Sequence, residues 1–263
     1  MEVGSGQKAL HAKSFSKPDV QAIALLIWQR ALTVELTHMD TFSAEIWRSV
    51  ALTIELASLT TMILLVVGAP LAWWLARSKT VLSKAVATII ALPLVLPPTA
   101  LGFCVLVLLG PNRPGGFLAS FWGEHTLAFT FAGIVVGSVL SALPLVVQPI
   151  HNAFIAIGGG PLVNQRASPL YAFITIGLPL VRLEFLKAAL VGFAHSIGTF
   201  GVVMMIGGNI PGRTKVLSAY VIDYVQESRW SEASWIAGGM VMFAFAVIFI
   251  LTFIDKRCAR RGT

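Results

Sequence analysis

Charge is what this sequence has least of. Only 12% of its 263 residues are Asp, Glu, Lys or Arg, half the roughly 25% found in soluble globular domains. So few charges cannot cover a water-facing surface, and lipid must replace water as the main solvent. Cysteine is scarce as well. Cys104 lies in an apolar run and Cys258 in a basic tail, which excludes a disulfide framework and leaves no pair at metal-ligand spacing. Cys104 reads as a small core residue. No triad, carboxylate pair or His/Cys cluster is present, so neither catalysis nor a bound metal or cofactor is expected. The net charge is +7, but the basic residues sit in short connections between apolar runs. They form no basic face with stacking aromatics, which argues against nucleic acid as a partner.

Apolar length is what the sequence has in excess. Hydrophobic residues make up 56%, and five segments reach the roughly 20 residues that a spanning helix needs. They are about Val50 to Ala76, Ala85 to Gly110, Leu127 to Ile150, Phe185 to Gly208 and Ser234 to Ile254. An all-α polytopic bundle with five core transmembrane helices follows. A further segment, Val20 to Leu36, has an apolar core at Ala22 to Trp28 and then meets Gln29, Arg30 and Glu35. It reads as an interfacial helix, as a sixth span, or as an extension ahead of a start at Met39. The expected division is an N-terminal extension (1–41), a transmembrane domain (42–254) with a long cytoplasmic loop (151–182), and a basic cytoplasmic tail (255–263).

Orientation follows from Lys and Arg in short loops. Arg77, Lys79 and Lys84 follow the first span, and Arg166, Arg182 and Lys187 lie between the third and fourth. Lys256, Arg257, Arg260 and Arg261 follow the fifth. An odd number of spans puts all three groups on one side, the cytoplasm, together with the C-terminus. The opposite loops carry Arg113, Arg213, Lys215 and Arg229, balanced by Glu124, Asp223, Glu227 and Glu232.

Inside the spans, polar and helix-breaking residues cluster in two places. The second span reads Ala91-Leu-Pro-Leu-Val-Leu-Pro-Pro98, with Pro93, Pro97 and Pro98 in one apolar run. Proline removes a backbone donor that lipid cannot replace, so this span should be kinked and face protein or a watery cavity. Pro70 and Pro144 interrupt the first and third spans singly and carry little weight. The fourth span contains His195-Ser-Ile-Gly-Thr-Phe-Gly201, small and polar residues that allow close helix approach and cross-helix hydrogen bonds. His195 reads either as a pathway residue or as a neutral imidazole bonded to a neighbouring helix, and the second reading is preferred. Glu55 reads in the same two ways, with snorkelling to the near interface as the plainer account. Gly207-Gly-Asn-Ile-Pro-Gly212-Arg-Thr214 has the glycine spacing of a phosphate-binding P-loop. Its lysine is replaced by Arg213, Pro211 has no N–H, and no strand precedes it, so it reads as a tight turn leaving the membrane.

Three motifs in order carry a resemblance. Ala91 to Pro98, Phe193-Ala-His-Ser-Ile-Gly-Thr-Phe-Gly201 and Gly208-Asn-Ile-Pro-Gly-Arg-Thr214 resemble the signatures of molybdate ABC transporter permeases, and the similarity runs from about Phe42 to the C-terminus. Sulfate and tungstate permeases share parts of the pattern. The resemblance implies a homodimeric permease without ATPase activity of its own. Its partners are a cytoplasmic ABC ATPase dimer that uses ATP, a periplasmic oxyanion-binding protein and the lipid of the bacterial inner membrane. It also implies alternating access, with the anion crossing at the dimer interface. Pro93, Pro97, Pro98, His195, Gly198, Thr199 and Gly201 are the positions expected to line or gate that path. Hydroxyls and backbone N–H groups at broken helices suit a dianion there.

Coupling to the ATPase is implied for Ala167, Ser168, Pro169, Leu170, Tyr171, Leu178 and Pro179. In the family a Glu-Ala-Ala segment with a following glycine opens this region. Here those positions fall on Gly160, Pro161, Leu162 and Arg166, and Gly158-Gly-Gly160-Pro161 is poor helix material. The docking helix is therefore expected to start near Pro169 or to be shortened, and an uncoupled membrane protein is the rival reading. The family's Arg and Glu in the fourth span stand as His195 and Thr199. A secondary transporter would need inverted repeats and intramembrane carboxylates, neither of which the sequence shows clearly.

Overall fold

The computed structural model describes residues 17–120, 125–157 and 173–259. The chain divides into two units, Met1–Glu45 and Ile46–Thr263, and the second holds the core and every site discussed below. Secondary structure among the described residues is helical. The helices are α1 (Lys17–Arg77), α2 (Val81–Val95), α3 (Pro98–Leu109), α4 (Pro114–Ser120) and α5 (Phe131–Ile157). They continue with α6 (Arg182–Gly198), α7 (Gly201–Gly207), α8 (Leu217–Gln226) and α9 (Trp230–Ala259). A π-helical turn, Phe173–Gly177, and one α-turn, Leu178–Leu180, lead into α6.

The five expected crossings take three forms. Ala44–Arg77, Phe131–Ala156 and Trp230–Ile254 are single helices long and apolar enough to span a bilayer. The fourth crossing is a pair, α6 and α7, bent by 58° at its break, where the sequence suggested one continuous helix. In place of the second expected crossing stand two separate apolar helices, α2 and α3, each too short to span alone, so among the described residues three helices, or four crossings with the bent pair, are long and apolar enough to cross. Residues 20–36 are helical within α1, and their side chains lie outside the description. Helix α5 continues to Ile157, so the first part of the expected 151–182 loop is helix. Helices α4 and α8 were not anticipated.

Packing is organised in two clusters stacked along the bundle. One joins Leu64, Ala72 and Trp73 of α1 to Ile90 of α2, Val146, Ile150 and Phe154 of α5, and Ala188 of α6. The other joins Leu56 of α1 to Leu101 and Val105 of α3, Ile134 of α5, Val202 and Ile206 of α7, and Ala219 of α8. In lipid the hydrophobic effect gives helices no reason to associate, so close contact between small residues must do so. A methyl group at Gly192 of α6 would stand 2.8 Å from Val146 Cγ2 of α5. Glycine at that position makes room for the Val146 side chain between the two helices. Cys104 is exposed rather than part of the core, because α3 turns Leu101, Gly102 and Val105 inward instead.

Candidate translocation site

The prolines make the first break. Pro97 disfavours helical geometry at Leu96, and Pro98 does the same to Pro97. Leu96 is accordingly extended and caps α2 through its N–H on Leu92 O, while Pro98 opens α3 at a position where its missing donor is harmless. Pro93 stays inside α2. The second break falls at Thr199 and Phe200. Thr199 is extended and ends α6, and its Oγ1 donates to His195 O at 2.7 Å. One orphan carbonyl at that helix end is thereby satisfied away from water.

The two breaks lie side by side. A methyl group at Gly201 would stand 3.0 Å from Pro98 Cβ and 3.6 Å from Thr99 N. One at Gly102 would stand 2.8 Å from Met205 Cβ and 3.1 Å from Val202 Cα. Helices α3 and α7 therefore run against each other almost backbone to backbone. On the far side of α7, Gly137 of α5 makes room for Ile206 and Val202.

Of the seven path residues expected from sequence, Pro98 and Gly201 are in contact. Thr199 is buried beside them, Pro97, Pro98 and Gly198 are exposed, and Pro93, His195 and Gly201 are half-buried. The face bearing both breaks is thus uncovered in a single chain. Among the described residues the His195 ring makes no hydrogen bond, so the cross-helix bond preferred for it from sequence is not formed. Glu55 is exposed.

The loop after α7 is a built structure and not a phosphate cradle. Thr214 Oγ1 donates to Gly207 O at 2.6 Å and accepts from Ile210 N at 3.0 Å, closing the turn on itself. Gly208, Asn209 and Gly212 have φ of 66°, 55° and 72°, a region that glycine enters freely and asparagine tolerates. Asp223 of α8 receives Asn209 Nδ2 at 3.1 Å and pairs with Lys215 Nζ at 2.6 Å. Thr53 Oγ1 of α1 accepts from Leu217 N at 2.9 Å, and Ser49 Oγ donates to Lys215 O at 3.0 Å. These bonds tie the loop and α8 to α1.

At the other end, the chain returns to the bundle through an aromatic nest. Trp73 meets Phe154 edge-on at 4.9 Å and Phe173 at 5.7 Å, and the Arg77 guanidinium lies 5.1 Å above the Trp73 ring. A methyl group at Gly177 would stand 2.8 Å from Trp73 Cζ3, so the π-helical turn can lie flat on the indole. Leu178 is half-buried and Pro179 exposed. A cleft of about 490 Å³ opens beside them, between Asn152 and Ala153 of α5 and Leu180 and Glu184. Ala167, Ser168, Pro169, Leu170 and Tyr171 lie outside the described residues, as do Gly160 to Leu162 and Arg166. Sequence reading missed Trp73, Phe154, Phe173 and Gly177. The glycine before Leu178-Pro179 and the paired Trp73-Trp74 were the available signals.

Comparison with known proteins places this architecture. No protein-family model matches the chain. The fold is shared with a chain of a bacterial ABC transporter. A chain of the crystal structure of a bacterial alginate ABC transporter, in complex with its alginate pentasaccharide-bound periplasmic protein, matches with a TM-score of 0.63. The match covers 92% of each chain at 15% identity. Curated relatives narrow the class. The molybdenum transport system permease protein ModB of Azotobacter vinelandii is 54% identical over 206 residues, 77% of this chain and 91% of that protein. ModB of Escherichia coli K12 is 31% identical over 219 residues, 81% and 93% of the two chains. This chain belongs to the molybdenum transport system permease family. The sulfate transport system permease protein CysT of Salmonella typhimurium is 28% identical over 202 residues, 74% and 72% of the two chains.

Proposed function

We propose that this chain is the translocation subunit of an ATP-driven importer that carries molybdate across the bacterial inner membrane. Two copies form the path, a cytoplasmic ABC ATPase dimer hydrolyses the ATP, and a periplasmic protein delivers the oxyanion. The permease binds no cofactor itself. The side bearing Arg77, the aromatic nest and the C-terminal tail faces the cytoplasm.

One observation carries this reading. Two broken helices abut at Pro98 and Gly201 on a face that a single chain leaves open. A second copy would cover that face and shield the broken helix ends from lipid, since breaks at membrane depth are tolerated only where protein or a watery cavity covers them. Helix ends and hydroxyls there can act as donors that hold a tetrahedral dianion weakly enough to release it. Force from the ATPase would enter at Leu178 and Pro179, cross the Gly177–Trp73 contact and reach α1 and α5 together.

The test is uptake of labelled molybdate by cells that lack their own importer and express this chain with its ATPase and binding protein. Accumulation should require all three proteins and stop when ATP is depleted. No accumulation with all three present in the membrane would overturn the proposal. Suppression by an equal concentration of sulfate would assign the chain to sulfate instead.

A further inference from the structure

An apolar groove of about 370 Å³, lined by none of the expected path residues, lies between α1, α6, α8 and α9. Its walls include Val50 and Ile54 of α1, Phe193 and Ile197 of α6, and Gly239 and Phe243 of α9. We infer that it seats one acyl chain of a phospholipid, drawn from the bilayer leaflet nearest Trp47. This goes beyond the transport reading and holds whichever anion is carried.

Chemistry and depth select this occupant. Thr53 supplies a hydroxyl to the wall, but that hydroxyl is committed to Leu217 N at 2.9 Å and Ser49 O at 2.6 Å, so it offers nothing to a polar guest. Water is equally unsuited to an apolar hollow without partners. Depth is set by exposed tryptophans, which gather at the membrane–water interface. Trp47 on α1 and Trp235 on α9 are 71% and 83% exposed. At 1.5 Å per residue the α1 wall begins about 5 Å below Trp47, and the α9 wall lies about 6–12 Å below Trp235. Two separate helices thus place the groove in the hydrocarbon just under the interface, where acyl tails are the available solvent. An empty groove would forfeit the dispersion contacts of its lining. Helix α9 packs on α6 and α8, and the acyl chain would fill its side toward α1.

Two neighbouring glycines make the test. Gly239 lines the groove, and an added methyl there meets nothing within 4 Å. Leucine can therefore grow into the space without a clash. Gly238 is just as open but does not line the groove, so Gly238→Leu is the control. The full-length chain and both variants are reconstituted in phospholipid vesicles containing a phospholipid with a photoactivatable group along its acyl chain. Labelled peptides are then mapped, and thermal unfolding confirms that all three proteins are folded. The wild type and Gly238→Leu should be labelled in both 50–54 and 239–243, and Gly239→Leu should lose both severalfold. Equal labelling in all three proteins, or no label in those segments of the wild type, would overturn the inference.

Discussion

The second and fourth expected crossings are both interrupted, but different chemistry breaks them. In the second, Pro97 and Pro98 write the break into the covalent chain. Each constrains the residue before it and withholds a donor, so no rearrangement of neighbours can heal it. In the fourth, nothing between Gly198 and Gly201 forbids a helix. The break there is held by the Thr199–His195 hydrogen bond and by packing of α7 between α3 and α5. One crossing therefore has a fixed joint and the other a joint whose angle its neighbours set. In a two-state transporter the second kind can change angle between states, while the first supplies the surface against which it moves.

The largest effect is expected where the two joints touch. Gly201→Leu must push Pro98 or the α7 backbone aside, since even a methyl would stand 3.0 Å from Pro98 Cβ. Overpacking of this kind costs about 1–3 kcal/mol, and here it separates the two breaks directly. Molybdate uptake should fall by about 100-fold, the equivalent of about 2.7 kcal/mol, with a lower unfolding temperature. Near-normal uptake would show that the contact is dispensable.

Healing the proline joint should come next. With Pro97→Ala and Pro98→Ala together, α2 and α3 can join into one helix and regain backbone hydrogen bonds. Stability should hold or rise, because each interior proline opposes a helix by about 3 kcal/mol. Uptake should nevertheless drop by about tenfold, or about 1.4 kcal/mol, measured on membrane fractions with equal protein. A gain in stability together with a loss of transport would mark the joint as functional; unchanged uptake would make it a packing kink.

The fixed joint was legible in the sequence and the adjustable one was not, for the same physical reason. Proline acts on its own neighbours, so Pro93, Pro97 and Pro98 announced a disrupted helix without any tertiary information. Gly198, Thr199 and Gly201 announced only that helices could approach closely. Whether they bend depends on Gly102 and Gly137, far away in the chain. The five apolar runs were readable because bilayer thickness sets their length. Helix α8 was not, since it sits outside the runs and is fixed by Thr53, Ser49 and Asp223. Cys104 was misplaced because composition cannot say which face of an apolar helix turns inward.

A smaller effect should follow Thr199→Val, which keeps the shape and removes the bond to His195 O. A neutral hydrogen bond contributes about 0.5–1.5 kcal/mol net, so unfolding should shift by about that much and uptake should fall by a few-fold. Uptake unchanged at a lower unfolding temperature would make the bond a structural fastening alone. Loss on the scale of Gly201→Leu would instead mean that the hydroxyl meets the anion.

Gly198→Ala should do least, and the sign of its effect is informative. A methyl at Gly198 meets nothing within 4 Å in the single chain, and the residue is exposed at the last turn of α6. Alanine is better than glycine inside a helix by up to about 1 kcal/mol, so the variant should unfold at the same or a slightly higher temperature. If the adjustable joint were made by glycine's backbone freedom, uptake would fall, because Gly198 is the residue just before the bend. If neighbours set the angle, uptake should stay within about twofold, under about 0.4 kcal/mol. A fall in uptake with no loss of stability would leave two causes, the glycine's own backbone freedom or a second permease copy against that methyl. Cross-linking of Gly198→Cys to its counterpart in the other copy separates the two, since only the protein neighbour can form the bond.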